Sequence, residues 1–120
     1  MIKGYSPSDI ETRVVKNFLD IIILIEMKKI SNLSGYDVTA FVNSKFGGVL
    51  SPGTVYATLY SMERKGLLSG DTNGRKTVYK LTEDGEQVIT TMMQDFNLQM
   101  TSFVQKFLTI YGIKDAETKK

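Results

Sequence analysis

The stretch from Ser51 to Gly66 constrains the fold most, because it carries the signals for both ends of one helix. Ser51 is a favoured N-cap residue, and Pro52 follows at the first helical position, where a missing N–H group does no harm. Gly66 stands where a glycine commonly ends a helix. The sequence therefore predicts one helix between these two signals.

The two faces of this helix differ in character. Val55, Leu59 and Met62 recur at helical spacing, which predicts a narrow apolar stripe that seats the helix on a core. The other side has small or hydroxylated residues, two tyrosines, and two cations in the last turn: Thr54, Tyr56, Ala57, Thr58, Tyr60, Ser61, Arg64 and Lys65. Such a face suits close approach to another surface, although a solvated amphipathic helix has the same pattern.

The composition excludes most catalytic and metal-binding chemistry. The 120 residues include no cysteine and no histidine, so disulfides, thiolate or imidazole metal sites, Ser-His-Asp triads and cysteine nucleophiles are ruled out. The acidic residues are scattered, and no phosphate-binding loop is present. We therefore expect no enzymatic activity, no metal and no cofactor.

Net charge and hydropathy limit the possible partners of the protein and its location in the cell. A net charge of +2 permits nucleic acid as a partner without requiring it. The N-terminal residues lack the apolar core of a signal peptide, and the run Ile21–Ile25 is too short to span a bilayer. We expect a soluble cytoplasmic protein associated with the nucleoid, with no membrane partner.

Upstream of Ser51 the pattern predicts two more helices. Ser8 and Glu11 form a potential capping box that opens a helix to about Lys28, whose second half is apolar around nearly its whole circumference. Its isoleucine run alone could equally be a buried strand. Ser34 is the predicted cap of a second helix that reaches Ser44, and a turn with two glycines then leads to Ser51. Two short helices joined this way form a helix-turn-helix pattern.

A β-hairpin is predicted to follow the helix-turn-helix. Leu67-Leu68 and Thr77–Leu81 are the expected strands, with a polar loop from Ser69 to Lys76 between them. The Asn73-Gly74 pair is a strong turn signal, and three cations lie near it: Arg75, Lys76 and Lys80. These cations could simply keep an exposed hairpin soluble, but their position favours a wing that touches DNA.

A long helix is predicted at the C-terminal end. Thr82 caps it, and it extends from residue 83 to residue 111 with an apolar seam of coiled-coil type. The seam consists of Ile89, Met92, Phe96, Met100, Phe103, Phe107 and Ile110. One small domain cannot cover this seam, so we expect a homodimer. The predicted organisation is one domain with a winged helix-turn-helix core (8–82), a dimerisation helix (83–111) and a flexible tail (112–120).

Several short motifs resemble the PadR family of transcriptional regulators over roughly residues 14 to 90. They are Ser34-Gly35-Tyr36-Asp37-Val38, Phe46-Gly47-Gly48-Val49-Leu50-Ser51-Pro52-Gly53-Thr54-Val55-Tyr56, Gly66-Leu67-Leu68, Gly74-Arg75 and Tyr79-Lys80-Leu81-Thr82-Glu83-Asp84-Gly85. The resemblance implies a winged helix that binds operator DNA as a homodimer, usually as a repressor, in the compact branch with a single C-terminal helix. The chain departs from the family pattern where proline or basic residues are frequent in the recognition helix, at Ala57, Tyr60 and Ser61, and in the wing at Lys76 and Val78.

Pattern and resemblance together predict a sequence-specific regulator that binds double-stranded DNA. Thr54, Ala57, Thr58 and Ser61 are the candidates for base edges, Ser51 for a phosphate, and Arg75, Lys76 and Lys80 for the DNA backbone or minor groove. Tyr56 could reach DNA or brace the helix. An architectural nucleoid-type protein with little sequence preference and a protein-interaction module are the alternatives.

The methionines and phenylalanines of the C-terminal helix allow one further interpretation. Compact relatives often sense apolar ligands at the dimer centre, and Met92, Met93, Phe96, Met100 and Phe103 could line such a space. A packed dimer core is the simpler interpretation of the same residues.

Overall fold

The computed structural model describes residues 2–48 and 50–113 and is mainly helical with one small sheet. In chain order its elements are α1 (Ser8–Asn17), α2 (Leu19–Lys29), β1 (Leu33–Ser34), α3 (Gly35–Phe46), α4 (Pro52–Arg64), β2 (Leu68–Asn73), β3 (Lys76–Leu81), α5 (Glu83–Met93) and α6 (Phe96–Tyr111). This order confirms the predicted fold class, which is mainly α with a small β-hairpin in a winged helix-turn-helix, although the predicted long C-terminal helix is divided into two.

The chain divides into two compact units, residues 1–89 and residues 90–120. The first unit contains α1 to β3 and most of α5, and its core gathers buried side chains from these elements: Val15, Leu19, Ile23, Leu24, Met27, Val38, Val42, Leu50, Val55, Leu59, Met62, Leu68, Tyr79 and Ile89. The predicted apolar stripe of α4 is thus confirmed as core. The second unit contains α6. The predicted boundaries between the winged core (8–82), the dimerisation helix (83–111) and the tail (112–120) stay predictions.

The predicted first helix is in fact two helices. The backbone leaves helical geometry at Phe18 (φ −106°, ψ 18°), which ends α1 and precedes α2. The predicted Ser8–Glu11 capping box is wrong, because Pro7 is already helical (φ −56°, ψ −35°) and shifts the start of the helix. Asp9 instead accepts hydrogen bonds from the hydroxyl (2.7 Å) and the backbone N–H (2.8 Å) of Ser6.

The start of α3 is tied to the sheet. Ser34 caps the helix, since its hydroxyl accepts from the Asp37 N–H (3.1 Å) while the Asp37 carboxylate accepts from the Ser34 N–H (2.9 Å). Hydrogen bonding to the Asp37 carboxylate from the Ser34 backbone N–H, and next from the Ser34 side chain, lowers the pKa of Asp37. Ser34 also pairs with Val78 in the antiparallel strand pair β1–β3. The capping box confirms the predicted start of α3, whereas the two-residue strand β1 was not predicted.

The sheet has strand order β1-β3-β2 and is antiparallel throughout. The hairpin register extends from Leu68↔Leu81 to Asn73↔Lys76, so the predicted polar loop from Ser69 to Lys76 is wrong. Most of it is strand, and only Gly74 and Arg75 form the turn, with Gly74 at φ +70°. Strand β2 was not predicted because its residues are polar on both faces and show no alternation of apolar and polar side chains.

The predicted long C-terminal helix is also interrupted. Thr82 caps α5 as predicted, since its Oγ1 accepts from the Gly85 N–H at 3.0 Å. The helix stops after Met93, and Asp95 (φ −119°, ψ 23°) precedes α6. Aspartate competes with helical hydrogen bonding and favours such junctions. Gly112 ends α6 with φ +106°, and the rest of the predicted tail, residues 114–120, lies outside the described residues.

The turn between α3 and α4 is held by one side chain. Asn43 Nδ2 donates to the Leu50 carbonyl oxygen, and Asn43 Oδ1 accepts from the Leu50 N–H, both at 3.0 Å. Gly47 and Gly48 have positive φ angles (83° and 73°), as the predicted glycine turn requires. This pair of bonds sets the point at which the chain enters α4.

Replacing Asn43 with alanine is expected to lower the free energy of unfolding by about 1–3 kcal/mol, because two part-buried backbone groups lose their partner. Urea denaturation followed by circular dichroism measures the change. Asn17→Ala is the matched control, since Asn17 makes one exposed bond, to the Arg13 carbonyl (3.2 Å). Equal unfolding midpoints for the two variants would contradict the role of Asn43.

Candidate nucleic-acid interface

Helix α4 lies in the first unit with one face in the core and the other in solvent. Ser51 caps it as predicted, because its hydroxyl accepts from the Thr54 N–H (3.3 Å) and contacts the Thr54 hydroxyl (3.1 Å). The helix ends at Arg64, and Gly66 follows with φ +81°. The helix is thus bounded at both ends as the sequence predicted.

One row of α4 faces directly away from the core. Gly53, Ala57, Tyr60 and Arg64 recur at spacings of four, three and four, on the side opposite the buried stripe, and all four are exposed. Sequence reasoning named Ala57 as a candidate but left Tyr60 out, although Tyr60 is 53% exposed. The three-residue spacing between Ala57 and Tyr60, which places both on one face of a helix, is the sequence signal that identifies Tyr60. We call these four residues the outward row.

A cleft of about 510 Å³ lies on the wing side of α4. We call it the wing cleft; its lining comes from the start of α3, from α4 and from the hairpin: Ser34, Gly35, Tyr36, Asp37, Tyr56, Tyr60, Arg75, Lys76, Thr77 and Tyr79. The structure therefore brings together three predicted site residues, Tyr56, Arg75 and Lys76. Lys80, also predicted, is exposed on β3 but does not line the cleft.

Charge and aromatic surface meet in the wing cleft. The positive charge of Lys76 contributes to the lowered pKa of Asp37, after the two hydrogen bonds from Ser34. Tyr36 and Tyr60 are largely exposed, whereas Tyr79 is buried. Burial is the main cause that raises the pKa of Tyr79, followed by the negative charge of Glu63. Two cations beside exposed tyrosines suit a phosphate backbone, which accepts hydrogen bonds from both residue types.

Tyr56 packs against the start of α3. A Cβ atom added at Gly35 would lie 2.0 Å from Cε1 of the Tyr56 ring, so only glycine fits there. The ring is 37% exposed, which makes it a contact between α3 and α4 that still reaches the surface. The packing supports the bracing role, and a contact between its hydroxyl and DNA stays a prediction.

A second concavity, of about 290 Å³, lies on the other flank of α4. We call it the far groove; it is lined by Lys16, Asn17, Leu19, Asp20, Ala57, Thr58, Ser61, Met62, Lys65 and Leu67. Three predicted base-edge candidates, Ala57, Thr58 and Ser61, therefore border this groove. The Thr58 hydroxyl donates to the Thr54 carbonyl oxygen at 3.0 Å, so it is already engaged within the helix.

The predicted dimer residues fall into two groups. Ile89 is 1% exposed and belongs to the core of the first unit. Met92 is partly exposed, Phe96 and Met100 are half-buried, and the last three, Phe103, Phe107 and Ile110, are at least half exposed. The Phe103 and Phe107 rings contact edge to face, with centroids 4.8 Å apart. None of the residues of α6 is buried.

Neither a candidate metal site nor a membrane-spanning helix is found in the part of the chain that the structure describes. Residues 2–48 and 50–113 contain no group of three or more acidic, histidine or cysteine side chains placed to hold a metal ion. Over the same residues, no helix has the length and apolar character needed to cross a membrane.

Several solved structures with the same fold are described as transcriptional regulators. A PadR-like transcriptional regulator from Bacillus cereus matches with a TM-score of 0.67 at 21% identity, over 79% of this chain and 96% of that chain. A transcriptional regulator from Clostridium thermocellum matches with a TM-score of 0.67 at 19% identity, over 80% and 95%. A PadR family regulator from Clostridium difficile gives 0.57 at 24%, over 78% and 97%. At these identities the matches establish the fold.

The sequence itself carries the family assignment. A search of curated proteins finds no match. The family model described as the transcriptional regulator PadR-like family matches residues 23–91, which is more than half of the chain and includes α3, α4 and the hairpin. This chain belongs to the PadR-like family of DNA-binding transcriptional regulators.

Proposed function

We propose that this protein binds a specific operator in double-stranded DNA as a homodimer and represses the genes under that operator. The observation that carries the proposal is the exposed outward row of α4, with the small residues Gly53 and Ala57 in its N-terminal half, beside a cleft that contains the wing cations. The family resemblance supports the repressor role. The proposed binding mode follows from how winged helices meet DNA.

In this mode the N-terminal half of α4 enters the major groove. Ala57 has a methyl side chain that can pack against a thymine methyl, while Thr54 and Ser61 present hydroxyls to base edges. Tyr60 adds an aromatic ring and a hydroxyl to the same row. None of these side chains makes the bidentate contact that arginine or asparagine offers, so each contributes modest discrimination.

The hairpin contributes affinity more than sequence preference. Arg75 and Lys76 line the wing cleft, and Lys80 is exposed on the adjacent strand. Their charges suit the phosphates beside the groove that α4 occupies, and Ser51 at the start of α4 is placed to add a phosphate contact.

The exposed apolar surface of α6 supports the homodimer. Leu98, Phe103, Val104, Phe107, Ile110 and Tyr111 are all exposed. A helix with this much uncovered apolar side chain is stabilised when a second copy packs against it. A dimer also doubles the modest discrimination of each α4. The apolar small-molecule effector stays a prediction, since a space at the dimer centre requires the second subunit.

Selection from a random duplex library tests the proposed specificity. We expect a palindromic site with half-sites about 10 bp apart, or a multiple of that spacing. Thr54→Ala should relax preference at particular base positions and weaken operator binding a few-fold. Thr39→Ala is the matched control, because the Thr39 hydroxyl donates to the Gly35 carbonyl oxygen (2.8 Å) within α3 and Thr39 lines neither concavity, so it should leave the preferences unchanged.

One alternative has a specific observation in its favour, namely that the N-terminal half of α4 contains no arginine, lysine, asparagine or glutamine. It is an architectural DNA-binding protein with little sequence preference. Recovery of no motif, with Thr54→Ala binding random duplex as the wild type does, would overturn the specific regulator and favour this alternative.

A further inference from the structure

We propose that Lys16 and Lys65 in the far groove form a second phosphate-binding surface, which holds the DNA strand on the side of α4 away from the wing. This inference rests on the proposed entry of α4 into the major groove. It assigns a binding role to residues that neither the sequence motifs nor the wing explain.

The far groove is lined by two lysines that come from different helices. Lys16 is in the last turn of α1 and Lys65 is the C-cap of α4, and both are exposed. A cation at the C-terminal end of a helix is favourable for the helix itself. That effect alone does not require both lysines to line one groove beside the outward row, as they do here.

The lysine charges are available to a ligand. Among the residues that the structure describes, the ion pair is Lys28 with Glu86, and neither Lys16 nor Lys65 takes part in one. Asp20 lines the same groove, and its carboxylate accepts a hydrogen bond from the Ile21 N–H at 2.8 Å. The three formal charges leave the groove with a net positive charge.

The dimensions of duplex DNA explain why two cationic flanks are useful. The major groove is about 12 Å wide, and a helix with its side chains is about 10–12 Å across, so an inserted helix meets phosphates on both sides. Arg75 and Lys76 lie on the wing flank of α4. Lys16 and Lys65 lie on the opposite flank, where Ala57 and Ser61 connect the outward row to the groove. The two flanks together would clamp both strands.

The test measures the dissociation constant against salt concentration, on the selected operator and on a random duplex of equal length. The variant with both Lys16→Ala and Lys65→Ala should show a shallower rise of log Kd with log salt. We expect the slope to fall by about one unit per lost phosphate contact, so by about two units per subunit. Arg75→Ala with Lys76→Ala should lower it by a similar amount. Both losses should be equal on the two duplexes, because phosphate contacts carry no sequence information.

Two further variants sharpen the test. Lys3→Ala with Lys29→Ala removes the same charge from residues that line neither concavity, and should leave the slope nearly unchanged. Asp20→Asn removes the one carboxylate in the far groove and should tighten binding several-fold at low salt, the opposite direction from the lysine variants. Thermal unfolding of every variant separates a lost contact from a lost fold.

The outcomes distinguish this inference from the function on which it rests. If the wild type selects an operator but the Lys16 and Lys65 variant behaves like the Lys3 and Lys29 control, the second surface is overturned and the proposed function stands. If the wild type binds no duplex, both are overturned. A slope reduced as expected, with tighter binding by Asp20→Asn, supports both strands being held.

Discussion

Replacing Phe103 with aspartate is expected to convert a dimer into a folded monomer and to weaken operator binding by at least about a hundredfold. Phe103 is 51% exposed on α6, so the charge costs a single subunit little. In a dimer the same carboxylate would be buried without a partner, which costs several kcal/mol. Loss of the second recognition helix then removes the gain from bivalent binding, typically 10²–10⁴-fold.

Sedimentation at micromolar concentration measures the assembly, and circular dichroism checks that the variant is folded. Thr109→Asp is the matched control, because Thr109 is exposed on the same helix and its neighbours one turn before are the polar residues Gln105 and Lys106. It should remain a dimer. A wild-type protein that sediments as a well-folded monomer, or a Phe103→Asp variant that still dimerises, would refute the proposed assembly.

Replacing Gly85 with alanine is expected to lower the free energy of unfolding of the first unit by about 3 kcal/mol, which corresponds to a fall of about 10–20 °C in Tm. A Cβ atom there would lie 2.2 Å from the Leu67 carbonyl oxygen, a backbone atom that cannot turn aside. The same carbonyl accepts a hydrogen bond from the Thr82 N–H (3.1 Å), and the Thr82 hydroxyl donates to the Gly66 carbonyl (2.6 Å). Moving Leu67 would therefore disturb the whole joint between α4 and α5.

Gly53→Ala is a closely matched control for this prediction. Gly53 also lies in the first turn of a helix, but an added Cβ would have only the Ser51 hydroxyl nearby, at 3.9 Å. Alanine is the better helix former by about 0.5–1 kcal/mol, so this variant should be slightly more stable than the wild type. Differential scanning calorimetry compares the two. A Tm for Gly85→Ala that matches that of Gly53→Ala would rule out the close contact.

The elements that the sequence predicted well are those whose ends are set by local chemistry. Ser34, Ser51 and Thr82 all cap helices as expected, because an N-cap depends on residues only three positions apart. The core face of α4 was predictable for a similar reason, since helical spacing alone places Val55 and Leu59 on one side.

The features that were missed depend on structure beyond the local pattern. Strand β2 carries polar residues on both faces, and its pairing with β3 decides its conformation rather than any alternation. The breaks at Phe18 and Asp95 lie inside continuous apolar patterns, where periodicity gives no warning. Pro7 already has helical angles, so the helical conformation begins before Ser8 and Ser8 does not act as the N-cap.

The candidate site was predictable in kind but not in arrangement. The sequence placed Arg75 and Lys76 on a hairpin and the small residues on a helix, and the structure brings the two cations beside Tyr56. It could not show that Thr58 and Ser61 border a different concavity, or that Lys16 and Lys65, which are far apart in the chain, line the same groove. Such neighbours follow from tertiary packing alone.

Strand β1 has a consequence for the order in which the protein folds. Its two residues, Leu33 and Ser34, pair with Tyr79 and Val78, so the β1–β3 contact closes a chain segment that includes the whole helix-turn-helix and the hairpin. The β2–β3 hairpin and the α3–α4 turn involve short separations and can form early, whereas this long closure costs more entropy and comes late. The wing cleft has one wall on each side of that contact. A folding intermediate with every helix formed but β1 unpaired would therefore lack the cleft, and DNA present during folding would favour the last step.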